Sequence, residues 1–298
     1  MTSSSSFNLY TGFFGLSHRP FSLVPDSRFL FWSRHHEGAY AMLEYGILTR
    51  SPITLLTGEV GAGKSTLLFH LLHSLGDDLT LGLVANAHGD RGELLHWVLL
   101  ALDLAPDPAE SYVQLFGRLQ DYLIGEYAEG RRVVLIFDEA QNLSRESLEE
   151  LRMLTNINSN GDELLQLVLV GQPELRDTIL APELRQFAQR VAASVHLPAL
   201  DAEMVGAYLD HRLRTAGADR EIFRPEAAEL IYQATGGVPR LVNQLADLAL
   251  VYAYTNEAHE VDRSLVQQVL DEGVFFGMRE PDEGRVLQLR HPVKTEAD

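Results

Sequence analysis

The sequence predicts an α/β fold, in which strands alternate with helices to build a parallel sheet, followed by a smaller and purely helical unit. Three observations predict it. A short apolar run over 53–57 ends in Gly58-x-x-x-x-Gly63-Lys64-Ser65, and an amphipathic helical pattern begins at once. Five apolar residues over 133–137 stand between Arg131-Arg132 and Asp138-Glu139, the pattern of a buried parallel strand. From Asp201 onward the hydrophobic period is that of helices alone.

The stretch Gly58-Glu59-Val60-Gly61-Ala62-Gly63-Lys64-Ser65-Thr66 reads as a phosphate-binding loop. Gly58, Gly61 and Gly63 let the backbone turn so that successive N–H groups point at an anion. Lys64 suits the β- and γ-phosphates, the Ser65 hydroxyl suits Mg²⁺, and the following helix adds its dipole. An accidental glycine-rich turn is the alternative, disfavoured by the strand before it and the helix after it. The expected cofactors are ATP and Mg²⁺.

Before the loop, Phe13-Phe14-Gly15-Leu16, Pro20-Phe21, Pro25-Asp26 and Arg28-Phe29-Leu30-Phe31-Trp32 form an aromatic, proline-broken segment expected to pack on the nucleotide-binding core. A helix is expected over 35–47, with Ala39, Leu43 and Ile47 on one face. His35 and His36 are adjacent, face different ways, and are not expected to share a metal. After the loop, Leu67, Leu68, Leu71, Leu72 and Leu75 mark a buried helix face ended by Gly76. A strand is expected over 79–87 and helices over 93–102 and 113–127, parted by Pro106-Asp107-Pro108.

The strand ending at Asp138-Glu139 presents two carboxylates at the sheet edge where open α/β folds bind ligands. Asp138 is suited to hold Mg²⁺, directly or through water, and Glu139 to orient and deprotonate an attacking water. A solvated pair capping the strand is the alternative, and the phosphate loop favours the catalytic reading. A helix capped by Ser144 is expected over 144–157, then a strand over 164–170 ending at Gln172, either a γ-phosphate sensor or a plain turn residue. A short helix over 182–190 carries Arg185 and Arg190 ahead of a strand over 192–197. Either arginine could complete a neighbouring subunit's site or form a surface ion pair.

Four helices follow, capped by Asp201 and Asp262 or opened by Pro225 and Pro239. Arg240 stands at the start of the third, where a cation opposes the helix dipole, and such a broken rule often marks function. The expected divisions are an N-terminal segment 1–50, a nucleotide-binding core 51–199, a helical lid 200–272 and a disordered tail 273–298.

Composition narrows the classes. The 298 residues are 46% hydrophobic, enough for an ordinary core, and contain no cysteine, which excludes disulfides and thiol chemistry. The N-terminus has no basic region or sustained apolar run, and no stretch approaches the ~20 apolar residues that span a bilayer, so a cytosolic, soluble protein is expected. The net charge of −18 opposes approach to a polyanion and disfavours nucleic acid as a partner.

Together with Gly237-Val238-Pro239-Arg240, these motifs resemble an AAA+ ATPase. Phe13-Phe14-Gly15-Leu16, Tyr45-Gly46-Ile47, Leu56-Thr57-Gly58-Glu59-Val60-Gly61, Asp138-Glu139-Ala140-Gln141, Leu151-Arg152-x-Leu154-Thr155-Asn156 and Gly171-Gln172-Pro173-Glu174-Leu175 are similar to the ExeA/GspA group of secretion-associated ATPases, over roughly residues 10–272. The resemblance implies a five-stranded parallel core of order 5-1-4-3-2, with ATP between the core and a helical lid. It implies that Lys64 and Ser65 hold phosphates and Mg²⁺, that Asp138 is the Mg²⁺-associated carboxylate and that Glu139 is the base. Asn86 would restrain Glu139 between turnovers, Gln172 would be sensor 1, and Arg240, beside Pro239, sensor 2. Arg190, with Arg185 as the alternative, would be a finger acting across a subunit boundary, and Tyr45, Gly46 and Ile47 would lie by the adenine.

The same group includes pilus-assembly and exopolysaccharide-associated ATPases and is related to regulators of transposon target choice. The implied partners are further copies of the chain, in a ring or filament, and a membrane or envelope-assembly protein. The implied place is the cytoplasm, peripheral at the inner membrane through that partner. Secretion members continue into a transmembrane helix and a peptidoglycan-binding module, whereas this sequence ends at Asp298 in a polar tail, so a wall-opening role is not expected of it. The implied function is ATP hydrolysis by an oligomer that drives or switches envelope assembly. An ATP-dependent DNA-binding regulator and a scaffold with negligible hydrolysis are the alternatives.

Overall fold

A strand buried at every position must lie inside a sheet covered on both faces, and β1 (Ile53–Gly58) and β4 (Leu165–Gly171) are buried throughout. The computed structural model describes residues 9–24, 26–76, 78–85, 93–159 and 161–277. With β2 (Leu79–Val84), β3 (Arg132–Phe137) and β5 (Val191–Leu197), these strands form one parallel sheet of order β5-β1-β4-β3-β2, as expected. A two-residue hairpin pairing Asn158–Ser159 with Asp162–Glu163 stands outside it. So short a pairing leaves no period to read in the sequence.

Alternation along the strands divides the core into two layers. Ile53, Leu55, Val133, Leu135, Phe137, Leu167 and Leu169 face one layer, built by α3 (Leu94–Ala101), α4 (Tyr112–Ala128), α5 (Arg145–Leu154), α6 (Pro173–Leu180) and α7 (Arg185–Ala188). Leu56, Val134, Ile136, Val168, Val170 and Leu197 face the other, under α1 (Arg34–Leu48) and α2 (Lys64–Ser74). Ala39, Leu43 and Ile47 supply the buried stripe of α1, as the spacing predicts.

The remaining helices, α8 (Ala202–Thr215), α9 (Pro225–Thr235), α10 (Pro239–Thr255) and α11 (Arg263–Asp271), enclose a third core. Their starts are those the sequence predicts: Asp201 accepts from the Met204 N–H, Asp262 accepts from the Leu265 N–H, and prolines open α9 and α10.

Two expectations are corrected here. Most of the aromatic N-terminal segment packs on the helical bundle and not on the nucleotide-binding core: Tyr10, Phe14, Leu16, Phe21 and Phe29 belong to the bundle's core, whereas Trp32 alone of these aromatics stands edge-on to Tyr40 of α1 and His70 of α2. The bundle presents an apolar face that the aromatics cover, and polar ties fix them there. Tyr10 and Arg19 both bond Asp247, and Ser17 Oγ donates to the Ala216 carbonyl at 2.8 Å. At the other end, Phe275 is buried against the same bundle, so the packed chain runs past 273. The expected tail beyond 277 lies outside the described residues. Among the described residues, no helix is long and apolar enough to cross a membrane.

Candidate functional site

β1 delivers the loop to the C-terminal edge of the sheet, and α2 starts at Lys64 with Gly63 as its cap residue, so no side chain satisfies its first N–H groups. They are left for an anion. Lys64 is 7% exposed, and its Nζ donates to the carbonyls of Gly58 at 2.7 Å and Glu59 at 3.0 Å. Burial lowers its pKa below the usual lysine range, and the carboxylates of Glu139 and Asp138 oppose that shift. A phosphate arriving there meets a partly desolvated ammonium already aimed into the loop.

The end of β3 lies beside it. Ser65 Oγ donates to Asp138 Oδ2 at 3.2 Å, a hydroxyl and a carboxylate oxygen of the hard-donor kind that Mg²⁺ prefers. Glu139 is held with φ at 54°, a left-handed conformation that costs a non-glycine residue on the order of 1–3 kcal/mol and that gathers at functional sites. Its Oε2 accepts from Gln141 Nε2 at 2.5 Å and from Gln172 Nε2 at 3.4 Å, while Gln141 Oε1 accepts the Gln172 backbone N–H at 3.0 Å. The carboxylate is thus oriented by two amides from two strand ends.

The helical bundle meets the loop directly. The Arg240 N–H donates to the Gly61 carbonyl at 3.2 Å, and a Cβ on Gly61, whose φ is +81°, would stand 2.4 Å from Arg240 Cβ. Only a glycine lets the two backbones come this close. Val60 to Thr66, Glu139, Pro239 and Arg240 line one cleft, completed by Leu23, Val24, Phe29, Leu30, Phe31, His36, Tyr208, Arg212 and Asn243.

The residues expected beside the adenine are not part of that wall. Tyr45, Gly46 and Ile47 do not line the cleft: from His36 to Gly46 the helix advances roughly 15 Å at ~1.5 Å per residue, away from the loop. The carbonyls of Gly46 and Ile47 accept instead from Gln166 Nε2 at 3.3 Å each, at the opposite edge of the sheet, and Tyr45 is 57% exposed. Gly46 is small because Thr54 Oγ1 would stand 2.3 Å from a Cβ there.

Neither candidate finger lies in the cleft. Arg190 donates to Thr155 Oγ1 at 3.1 Å, bonds Asn156 Oδ1 and lies 3.8 Å from Glu163, whereas Arg185 is exposed at the start of α7. Asn86 lies outside the described residues.

Sequence reasoning gave no role to Gln141, His36 or Arg212. Gln141 lay in the Asp-Glu-Ala-Gln run, His36 stood three residues after a capping serine, and Arg212 carried no signal, because its partners are the carbonyls of Pro20 and Ser22 and the Tyr208 hydroxyl.

Residues 48–179 match a family described as AAA domain. The chain is 39% identical over 274 residues to general secretion pathway protein A of Aeromonas hydrophila, a match covering 90% of this chain and 50% of the relative. The chain therefore spans half the length of the curated relative it matches. It is similar to the solved structure of Cdc6p from Pyrobaculum aerophilum, with a TM-score of 0.66 and 19% identity over 87% of this chain and 72% of that one. It is also similar to the Aeropyrum pernix ORC2 protein in ADPNP–ADP complexes, with a TM-score of 0.63 and 18% identity over 86% and 72% of the two chains. At these identities the two structures show the fold alone.

Proposed function

This chain belongs to the AAA+ P-loop proteins and is similar to general secretion pathway protein A, and on that premise we propose that it is a Mg²⁺-dependent ATPase that oligomerises with ATP. One observation carries the proposal: Lys64, Ser65, Glu139 and Arg240, far apart in the chain, line a single cleft. The α/β core of 51–199 binds the phosphates, and the helical lid of 200–272 closes over them through Arg240. The nucleoside lies along the wall of Leu23, Val24, Phe31 and Tyr208.

The residues divide the work. Lys64 and the first N–H groups of α2 hold the phosphate chain. The oxygen pair of Ser65 and Asp138 fits Mg²⁺, which when bound neutralises charge on the transferring phosphoryl group. Glu139, kept in place by Gln141 and Gln172, orients a water and takes its proton. Gln172 links that carboxylate to the end of β4, the position of a γ-phosphate sensor.

Arg190 acts across a subunit boundary, with Arg185 as the alternative. Its ties to Thr155 and Asn156 hold it at the rim of its own subunit, away from its own cleft. The name of the Aeromonas relative supports a role in a secretion system, and within that role we propose a cytoplasmic motor or switch for cell-envelope assembly, engaged at the inner membrane through a partner protein.

The test is ATP turnover per subunit against protein concentration, for wild type and Arg190→Ala. A rate that climbs with concentration and collapses in the variant, while nucleotide still binds, supports a shared site. A flat rate that the substitution does not change overturns it.

A further inference from the structure

The cleft holds a second helix N-terminus, which the phosphate loop does not explain. The 15-residue helix α1 starts there beside α2, capped by Ser33, whose Oγ accepts the His36 backbone N–H at 3.3 Å. His36 lines the cleft, is 5% exposed, and has its Nε2 3.3 Å from where a Cβ on Gly63 would stand. Among the described residues Nε2 has no hydrogen-bond partner, while Nδ1 lies 2.7 Å from Ser33 Oγ.

Ser33 fixes the tautomer. Ser33 is 4% exposed and its hydroxyl already accepts the backbone N–H, so its one proton needs an acceptor, and Nδ1 is the one within reach. With Nδ1 accepting, the ring proton sits on Nε2 and points at the loop. Burial, with a smaller contribution from His35, pushes the His36 pKa down to about 4, so the ring is a neutral donor at neutral pH.

Resting on the nucleotide-binding reading above, we propose that His36, held by Ser33 as the Nε2–H tautomer, donates to a phosphate oxygen of the bound nucleotide. The N-terminal dipole of α1 reinforces the contact. The phosphate chain is then gripped from two helices, α2 through its backbone and α1 through an imidazole.

The test uses the full chain with ADP, inorganic tripolyphosphate and adenosine as separate probes. ¹⁵N-edited NMR of the histidine rings, assigned with His36→Gln, is expected to show the Nε2–H tautomer in the free protein. ADP and tripolyphosphate shift that resonance, and adenosine does not. A hydrogen bond to a charged group corresponds to about a 10-fold or greater loss of ADP affinity in His36→Ala, with adenosine binding unchanged and part of the loss restored in His36→Gln, which keeps an N–H donor. An Nδ1–H tautomer, a ring that responds to adenosine instead, or ADP binding by His36→Ala at wild-type strength would overturn the proposal alone. If the wild type itself bound no ADP, the nucleotide reading would fall with it.

Discussion

Gly237, with Gly130 as its control, tests the close approach of residues 200 and 237 at the edge of the helical bundle. Both are left-handed, with φ of +73° and +79°, so an alanine at either carries the same strain of roughly 1–2 kcal/mol. It also gains the same ~0.4–1 kcal/mol from stiffening the unfolded chain. They differ in space. A Cβ on Gly130 meets nothing within 4 Å, whereas on Gly237 it would stand 1.9 Å from the Leu200 carbonyl oxygen. Ordinary contact is nearer ~3.5 Å, so the two backbones must separate by more than about 1 Å.

That separation breaks the bond from the Leu200 N–H to the Gly237 carbonyl, 2.9 Å long. Losing it costs ~1 kcal/mol, and the forced repacking adds about 1–3 kcal/mol. Gly237→Ala should therefore be less stable than Gly130→Ala by roughly 2–4 kcal/mol, which in a chain of 298 residues is a difference of about 3–6 °C in Tm. Calorimetric melting of the two variants under one condition measures it. Gly237→Ala should also weaken nucleotide binding, since Arg240 follows three residues on. Equal melting temperatures would refute the close approach of residues 200 and 237.

Other substitutions probe the cleft. Gln141→Leu removes the 2.5 Å donor that orients Glu139 and should lower turnover about 10-fold while leaving ATP affinity within about 2-fold, separable by single-turnover and binding assays. Arg212→Met leaves the Pro20 and Ser22 carbonyls without their donor and should cost roughly 2–4 kcal/mol, with faster proteolysis ahead of residue 31. The folded protein keeps His36 neutral to about pH 4, whereas the unfolded chain protonates it near 6.5. Between those values the unfolded state binds more protons, so stability falls as pH drops through the window, by up to roughly 3 kcal/mol. His36→Gln should flatten that part of the curve in denaturant titrations. With a net charge of −18, the chain should not retain duplex DNA at physiological salt, with or without ATP, as a gel-shift assay would read.

The phosphate loop, the Asp138-Glu139 strand end and the sheet were legible because each needs fixed residue types at fixed spacing. Arg240 was legible because it broke a helix rule, and it does lie on the loop. Tyr45-Gly46-Ile47 was misplaced because the motif locates a helix without saying which of its ends meets the site. Only the polarity of α1 against the sheet decides that, and it brings His36 to the cleft and Gly46 to Gln166. The aromatic N-terminal segment announced its burial but not its partner, since the sheet layers and the helical bundle offer equally apolar faces. Arg212 could not be read at all, because carbonyls and a tyrosine hydroxyl are acceptors that every sequence supplies.

The central claim is that Glu139 drives hydrolysis in a site that holds ATP without it. The direct measurement is phosphate release by wild type and Glu139→Gln in the presence of Mg²⁺, at protein concentrations where both are shown to bind ATP. Release by the wild type, with a fall of at least about 100-fold in the variant at unchanged affinity, is the predicted result. Equal release by the two proteins, or none by the wild type at any concentration, would contradict it.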